Sequence, residues 1–293
     1  MSALNTNRAD IDLPTEVSSE IIQKAQEDSA IMALARQISL PGRGLTIPVI
    51  TGDPEASWVD ETNKKPVRNP GLSKKIMQAY KLAVIVPFSD EFKRDYAGLY
   101  DALVQRLPRA LALKFDNTVF GAVNAPGSNF DTFASATAQS VDGGVYDALV
   151  AADTDISEHR GIMNGFALSP QAKGVLLGAK DKNERPIFIN NVAEGAVPML
   201  LGAPVKYSRA AYVEGTTGAS AQPDVIGIAG DWTQAVYGVV QGVNVKVSDQ
   251  ATLTIEDEQV NLWERNMFAV RAEMEVGFRA DITVFNKLTR THS

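Results

Sequence analysis

The stretch from Phe268 to Phe278 restricts the fold of this chain more than any other. Phe268, Val270, Ala272, Met274, Val276 and Phe278 are apolar, and Arg271, Glu273, Glu275 and Arg279 occupy intervening or adjoining positions. A side-chain period of two belongs to an extended strand, because successive residues point to opposite faces. At about 3.3 Å per residue such a strand runs to roughly 35 Å. It needs partners of similar length, a core on one face and water on the other.

Further strands are expected. Leu45 to Ile50 follows a turn at Pro41-Gly42-Arg43-Gly44, and a short strand is expected at Ala56 to Val59. Ile76, Tyr80, Leu82, Val84 and Val86 read as one face of an extended strand that Pro87 ends. Phe166 to Leu168, Val205 to Tyr207, Val225 to Ile228 and Val236 to Val247 complete the set.

Helical signals lie between them. Residues 1–14 are polar, end at Pro14 and read as a flexible arm. Thr15 is a plausible N-cap, with Glu16 in the first turn and Val17, Ile21, Ile22 and Ala25 at helical spacing. Asp28 and Ser29 are expected to cap a second short helix carrying Met32, Ala35 and Ile38. Ser89-Asp90-Glu91 makes a good helix start. Leu99, Leu103, Leu107, Leu111, Phe115 and Val119 then recur every fourth residue, which is close to a helical stripe. Pro108 falls in its middle and should kink the helix or start a new one. Gly121 and Pro126-Gly127 close this region, and Asn129 to Gly144 reads as loop. Val145 to Ile156 and Pro170 to Leu177 read as helices, with a charged loop from Lys180 to Arg185. No repeat of 20–50 residues is present, which argues against solenoids and propellers. The class is α+β.

Composition excludes several functions. The chain has 293 residues and no cysteine, so disulfides, thiolate metal sites and cysteine nucleophiles are out. The only histidines are His159 and His292, so a histidine-based catalytic centre would rest on His159. A net charge of −7 argues against a nucleic-acid reader. No apolar run approaches the roughly 20 residues that span a bilayer, and the N-terminus lacks the apolar core of a signal peptide. The expectation is a chain made in a reducing cytoplasm, with no membrane partner.

A search for chemistry finds little. There is no P-loop, no His-Glu-x-x-His and no Gly-x-Ser-x-Gly. Gly161-Ile162-Met163-Asn164-Gly165 lacks dinucleotide spacing, and Asp153 and Asp155 lack the later ligands of a calcium loop. Glu256-Asp257-Glu258 reads as a solvated acidic turn and His159 as a helix-end residue. No catalytic residue, metal ligand or cofactor is expected.

Trp58, Trp232 and Trp263 each stand beside a carboxylate, at Asp60, Asp231 and Glu264. Trp263 reads as ordinary packing. Trp58 reads as an interface anchor at the base of a protruding arm, and Asp231 and Trp232 are further interface candidates. The arm is the unusual feature. Between Asp60 and Lys75 two acids (Asp60, Glu61) face five bases (Lys64, Lys65, Arg68, Lys74, Lys75), a net of +3 against −10 for the rest of the chain. Such a charge run reads either as a solvated loop or as a basic finger reaching onto an acidic neighbouring subunit. So long a polar loop cannot bury itself, and a partner would give it a role.

The order of these pieces resembles the major capsid proteins of tailed double-stranded DNA bacteriophages, the family with the Hong Kong 97 fold. Glu16-Val17-Ser18-Ser19-Glu20-Ile21-Ile22 is similar to the family's N-terminal arm and helix. Ala56-Ser57-Trp58-Val59-Asp60-Glu61 resembles the entry to its extended loop, and Tyr80-Lys81-Leu82-Ala83-Val84 the returning strand. Pro87-Phe88-Ser89-Asp90-Glu91-Phe92 resembles the lead into its spine helix. Gly165-Phe166-Ala167-Leu168-Ser169-Pro170, Leu201-Gly202-Ala203-Pro204-Val205 and Ala229-Gly230-Asp231-Trp232 fit its axial domain, and Val270-Arg271-Ala272-Glu273 with Asp281 to Leu288 its closing segment. Each motif alone is weak; their order along nearly the whole chain is the signal.

The resemblance implies a peripheral domain of spine helix and long strands, an axial domain, an extended loop and an N-terminal arm. The expected division is 1–44 arm and helix, 45–88 extended loop with flanking strands, 89–143 spine helix and part of the peripheral domain, 144–240 axial domain, and 241–293 return to the peripheral domain. It implies a structural protein, not an enzyme, that assembles with itself into hexamers and pentamers of an icosahedral shell around DNA. Its other implied partners are a portal protein and possible separate scaffolding and decoration proteins, with the shell built in the bacterial host cytoplasm. An encapsulin shell around protein cargo has the same fold and is the alternative; a hydrolase using His159 is a remote one.

Overall fold

The computed structural model describes residues 29–42, 44–52, 58–59, 65, 71–95, 97–181, 183–188, 199–218, 221–255 and 258–292. The arm at 1–14 and the helix at 15–25 lie outside these residues, as do Ala56 and Ser57 of the strand expected at Ala56 to Val59; Trp58 and Val59 are described and belong to no strand.

The alternating segment is strand β13 (Met267–Ala280), and Phe268, Val270, Ala272, Met274, Val276 and Phe278 are all buried. On one side it pairs antiparallel with β10 (Ala235–Ser248), on the other with β4 (Tyr80–Ser89). Strand β1 (Arg36–Ser39) adds to β10 in parallel, giving a four-stranded sheet in the order β1-β10-β13-β4. The outer face carries ion pairs between Lys81 and Glu275 (3.3 Å) and between Arg271 and Glu273 (3.5 Å).

Three expectations change at the edges of this sheet. Pro87 does not end β4, which runs on to Ser89. Among the described residues β4 is an edge strand, where a missing N–H is tolerated. Ile76 does not share the face of Tyr80 to Val86; it belongs to a separate strand, β3 (Gly71–Met77), and is exposed while Met77 is buried. Ile38 lies in β1 instead of the short helix α1 (Ala30–Leu34), which stops when the backbone turns extended at Ala35. Ser29 does cap α1, its Oγ accepting from the Met32 N–H at 3.0 Å.

Helix α2 (Asp90–Asp95) starts where Ser89 Oγ accepts from the Phe92 N–H (3.1 Å). Helix α3 (Ala97–Val119) then runs unbroken through Pro108. An interior proline costs about 3 kcal/mol. The buried stripe of Leu107, Leu111, Phe115 and Val119 outweighs that, since each fully buried large apolar side chain contributes roughly 1.5–3 kcal/mol. Leu103 is half-buried; the Leu99 side chain is outside the described set.

A second sheet has six strands in the order β5-β14-β9-β6-β8-β7. These are β5 (Thr137–Ser140), β6 (Gly165–Leu168), β7 (Met199–Leu200), β8 (Ala203–Tyr207), β9 (Asp224–Gly230) and β14 (Phe285–Arg290). Helices α4 (Val145–Glu158) and α5 (Pro170–Gly178) pack on it through Leu149, Ala152, Ala172 and Leu176. The sheet draws β5 from the 89–143 segment and β14 from the 241–293 segment, so neither segment keeps to one sheet. A small hairpin, β11 (Thr252–Ile255) and β12 (Glu258–Asn261), lies between β10 and β13.

The expected loop at 129–144 holds core instead. Phe130 and Phe133 are buried with Phe115, Phe278, Phe285 and Trp232 in an aromatic cluster that joins the two sheets. Among the described residues strand β5 pairs only with distant β14, in parallel, and its four residues are too few to show an alternation. Among the described residues no helix is long and apolar enough to cross a membrane.

Candidate functional site

The segment that leaves the body is a hairpin of β2 (Leu45–Gly52) and β3, with Leu45 opposite Met77 and Gly52 opposite Gly71. Among the described residues this two-stranded sheet pairs with no other strand. The chain enters at Gly44, whose φ of +84° and 2.7 Å approach of a would-be Cβ to the Met77 carbonyl admit only glycine.

Two sets of contacts fasten its base. Met77 is fully buried with Leu40 and Val236. Gly238 and Gly277, opposite each other on β10 and β13, make the room: a Cβ on Gly238 would strike the Leu40 side chain, and one on Gly277 would lie 2.5 Å from the Gln78 carbonyl. The second set is polar. Arg279 donates from Nε to the Ile76 carbonyl (2.8 Å), from Nη1 to Asp131 Oδ1 (2.6 Å) and from Nη2 to Asn129 Oδ1 (3.0 Å). Lys75 Nζ donates to the Ala280 carbonyl (2.8 Å) and stands 3.8 Å from Asp131 Oδ2. Asp131 Oδ2 also accepts from the Ala280 N–H (3.2 Å). With Arg279 only 11% exposed, this pairing is more than a screened surface contact.

The sequence candidates therefore separate. Trp58 is fully exposed, and Lys65 and Lys74 are exposed. Glu61, Lys64 and Arg68 lie outside the described residues. Lys75 is engaged at the base of its own hairpin. Asp231 and Trp232 are buried within the subunit. Asp231 Oδ1 accepts from Thr233 N–H, Thr233 Oγ1 and Asn164 Nδ2, and its Oδ2 from the Ile162 N–H. The Trp232 indole N–H donates to the Gly165 carbonyl (2.9 Å). All of these bonds are made within the subunit. Trp263 is exposed on a turn whose Arg265 pairs with Glu258 (2.9 Å).

Several polar residues have roles that the sequence does not signal. Asp131 and Asn129 lie in the stretch expected as loop, and Arg279 lies on the expected charged face of the long strand. Asp116 is wholly buried in α3, where its carboxylate accepts from Ser29 Oγ (2.5 Å) and the Ala30 N–H (2.8 Å). Burial pushes its pKa up to about 7, against the pull of donors from Ser29, Ala30, Ile31 and Ser208. Asp224 is buried between Arg290 Nε (3.3 Å), His292 Nδ1 (2.7 Å) and the Gly215 N–H (2.8 Å). Burial opposes its ionisation, yet those donors hold it below the usual carboxylate range. His159 caps α4 with Nδ1 2.8 Å from the Asp155 carbonyl. Among the described residues no group of three or more His, Asp or Glu is placed to hold a metal ion.

Residues 11–282 match the phage capsid family. The probable major capsid protein gp17 of Mycobacterium phage L5 is 31% identical over 297 residues, covering 94% of this chain and 89% of that protein. The major capsid protein of Staphylococcus phage 80alpha is 26% identical, covering 94% of this chain and 84% of its own length. Among solved structures, one from Gordonia phage Cozz superposes with a TM-score of 0.74 at 21% identity, covering 91% of this chain and 88% of that one. One from Mycobacterium phage Adephagia reaches 0.75 at 20% identity, covering 90% and 91%.

Proposed function

This chain belongs to the phage capsid family, and from that premise we propose that its copies close into an icosahedral shell of hexamers and pentamers around double-stranded DNA. It is a structural shell subunit and associates with itself. In the proposed division the four-stranded sheet with α3 forms the peripheral domain and the six-stranded sheet with α4 and α5 the axial domain. The observation that carries the reading is the β2–β3 hairpin. It is fastened at its base by Lys75, Met77 and Arg279 and presents Trp58, Lys65 and Lys74 away from any described core.

In this reading Trp58, Glu61, Lys64, Lys65, Arg68 and Lys74 meet the adjacent subunit. A rigid base matters for such contact, because a preordered arm loses less entropy on docking. Assembly takes place in the bacterial host cytoplasm, with a portal protein and, where present, separate scaffolding and decoration proteins. Electron microscopy of the expressed protein, alone and with a supplied scaffold, tests the proposal. Closed shells or ring-shaped capsomers are expected; a monodisperse monomer across salt and concentration would overturn it.

A further inference from the structure

The solvent side of α3 has an uneven make-up. Arg106, Arg109, Leu113 and Lys114 are exposed and lie three, four and one residue apart, on one side of a helix with 3.6 residues per turn. Among the described residues none of the three cations makes an ion pair. Along one flank of this face Asp116 holds Ser29 and Ala30 against the helix.

Along the other flank is a cleft of about 150 Å³ with Leu82, Phe115, Val123 and Phe130 in its lining and Lys81 and Lys114 beside them. The cleft marks where the core is left open. On β4 the inward residues Leu82, Val84 and Val86 are half-buried, while their register partners Met274, Ala272 and Val270 on β13 are buried.

The residues immediately before Ser29 have the complementary chemistry. From Thr15 to Asp28, Val17, Ile21, Ile22 and Ala25 recur at helical spacing. Four acids (Glu16, Glu20, Glu27, Asp28) outweigh the single Lys24, a net of −3. Fourteen residues reach about 21 Å even as a helix, enough to cross an α-helix roughly 10 Å wide.

We propose that the exposed face of α3, with the cleft beside it, is the docking surface for residues 15–28 of the same chain. The apolar side of the segment enters the cleft, and its acids meet Arg106, Arg109 and Lys114. Because Ser29 fixes one end of the segment on α3, its effective concentration at the surface is of millimolar order, which favours it over the same segment of a second copy. The inference goes beyond the shell reading and does not rest on it.

The chain has no cysteine, so engineered pairs report contact cleanly. Ile21→Cys is combined in the full chain with Leu113→Cys, with Val123→Cys, or with Tyr146→Cys on α4 as the control; all three partner positions are exposed. Mild oxidation followed by denaturing electrophoresis and mass spectrometry reads the products. Docking predicts an intrachain disulfide to Cys at 113 or 123 at least tenfold faster than to 146, since bridging needs Cα atoms within about 7 Å. Adding Arg106→Glu, Arg109→Glu and Lys114→Glu should slow it at least tenfold with circular dichroism unchanged. Equal rates for the three pairs would overturn the proposal. So would products linked between chains, which assign the surface to a second copy. Binding of short duplex DNA, lost on charge reversal and without the faster disulfide, would assign it to nucleic acid instead.

Discussion

Asp231 and Asp281 head two turns that hydrogen-bond to each other with matching geometry. The Asp231 N–H donates to the Val284 carbonyl (3.1 Å) and the Asp281 N–H to the Gln234 carbonyl (3.3 Å), so each acceptor lies three residues beyond the other aspartate. Each carboxylate accepts from the N–H and hydroxyl of a threonine two residues on, Thr233 or Thr283. Asp231 carries the chain from β9 in the six-stranded sheet to β10 in the four-stranded one, and Asp281 carries it back from β13 to β14. These two crossings between the sheets are thus one joint, while the third, from β4 to β5, runs through α3.

The two halves of that joint differ in burial. Asp231 also binds the Ile162 N–H and Asn164, whereas Asp281 is exposed. Asp231→Ala should therefore cost about 3 kcal/mol and Asp281→Ala about 1 kcal/mol, the range between a buried charge-assisted network and a single cap. Urea denaturation measures both. Equal losses would show that the links to Ile162 and Asn164 contribute nothing.

Local pattern carried much of this fold. The alternation at 268–278, the four-residue stripe of α3 and the caps at Ser29 and Ser89 each depend on neighbours in sequence, and each is where the residues place it. What could not be read depends on distant partners. Strand β5 exists through β14, Phe130 and Phe133 are core because Phe278 and Phe285 are there, and Asp131 is a clamp only once Arg279 reaches it. The candidate site divides the same way. Of the hairpin, β2 was legible but β3 was not, because Ile76 shares the apolar spacing of β4. The roles of Lys75, Asp231 and Trp232 are set by residues some 70 to 200 positions away.

Gly277 is a test of how the hairpin is seated. Alanine there sets a Cβ 2.5 Å from the Gln78 backbone carbonyl, which cannot swing aside as a side-chain tip can. Gly277→Ala should destabilise by about 2 kcal/mol or more. Gly143→Ala, with nothing within 4 Å, should stay within about 0.5 kcal/mol of wild type. Thermal unfolding of the two variants gives the comparison, and similar midpoints would mean that the base is not tightly packed.

Asp116 should make stability depend on pH in an unusual direction. Its folded pKa is raised to about 7 from an ordinary 3.8, so between those values the folded state holds a proton that the unfolded state has lost. Stability from this group is fully present below about pH 4, falls as pH rises, and is gone above about pH 7. Asp116→Asn should flatten that slope. Denaturant midpoints from pH 5 to 8 measure it; an unchanged slope in the variant would assign the dependence elsewhere.

The two faces of β13 should respond oppositely to an acidic side chain. Val270→Asp places a charge at a fully buried position, a cost of several kcal/mol against a total stability of about 5–15 kcal/mol, and should abolish soluble protein. Glu273→Asp keeps the charge on the outer face beside Arg271 and should be tolerated. Solubility and circular dichroism compare them, and equal tolerance would mean that the face is misassigned.

The basic arm allows assembly to be separated from folding. Lys64, Lys65 and Lys74 are reversed to glutamate, which takes the Asp60–Lys75 stretch from +3 to −3. Lys75 stays native, because its bonds to Ala280 and Asp131 fasten the hairpin and reversing it would damage the subunit itself. The variant should still fold, since a polar projecting segment contributes little to its own core. If the arm docks on an acidic neighbour, assembly at low salt should fail, because like charges brought together penalise association. Salt should partly restore it, as the Debye length shrinks from about 10 Å at 0.1 M to about 3 Å at 1 M. A merely solvated arm gives normal shells at every salt concentration. Sedimentation counts the particles and circular dichroism confirms the fold, so normal assembly of the reversed protein at low salt would end the docking idea while leaving the shell function intact.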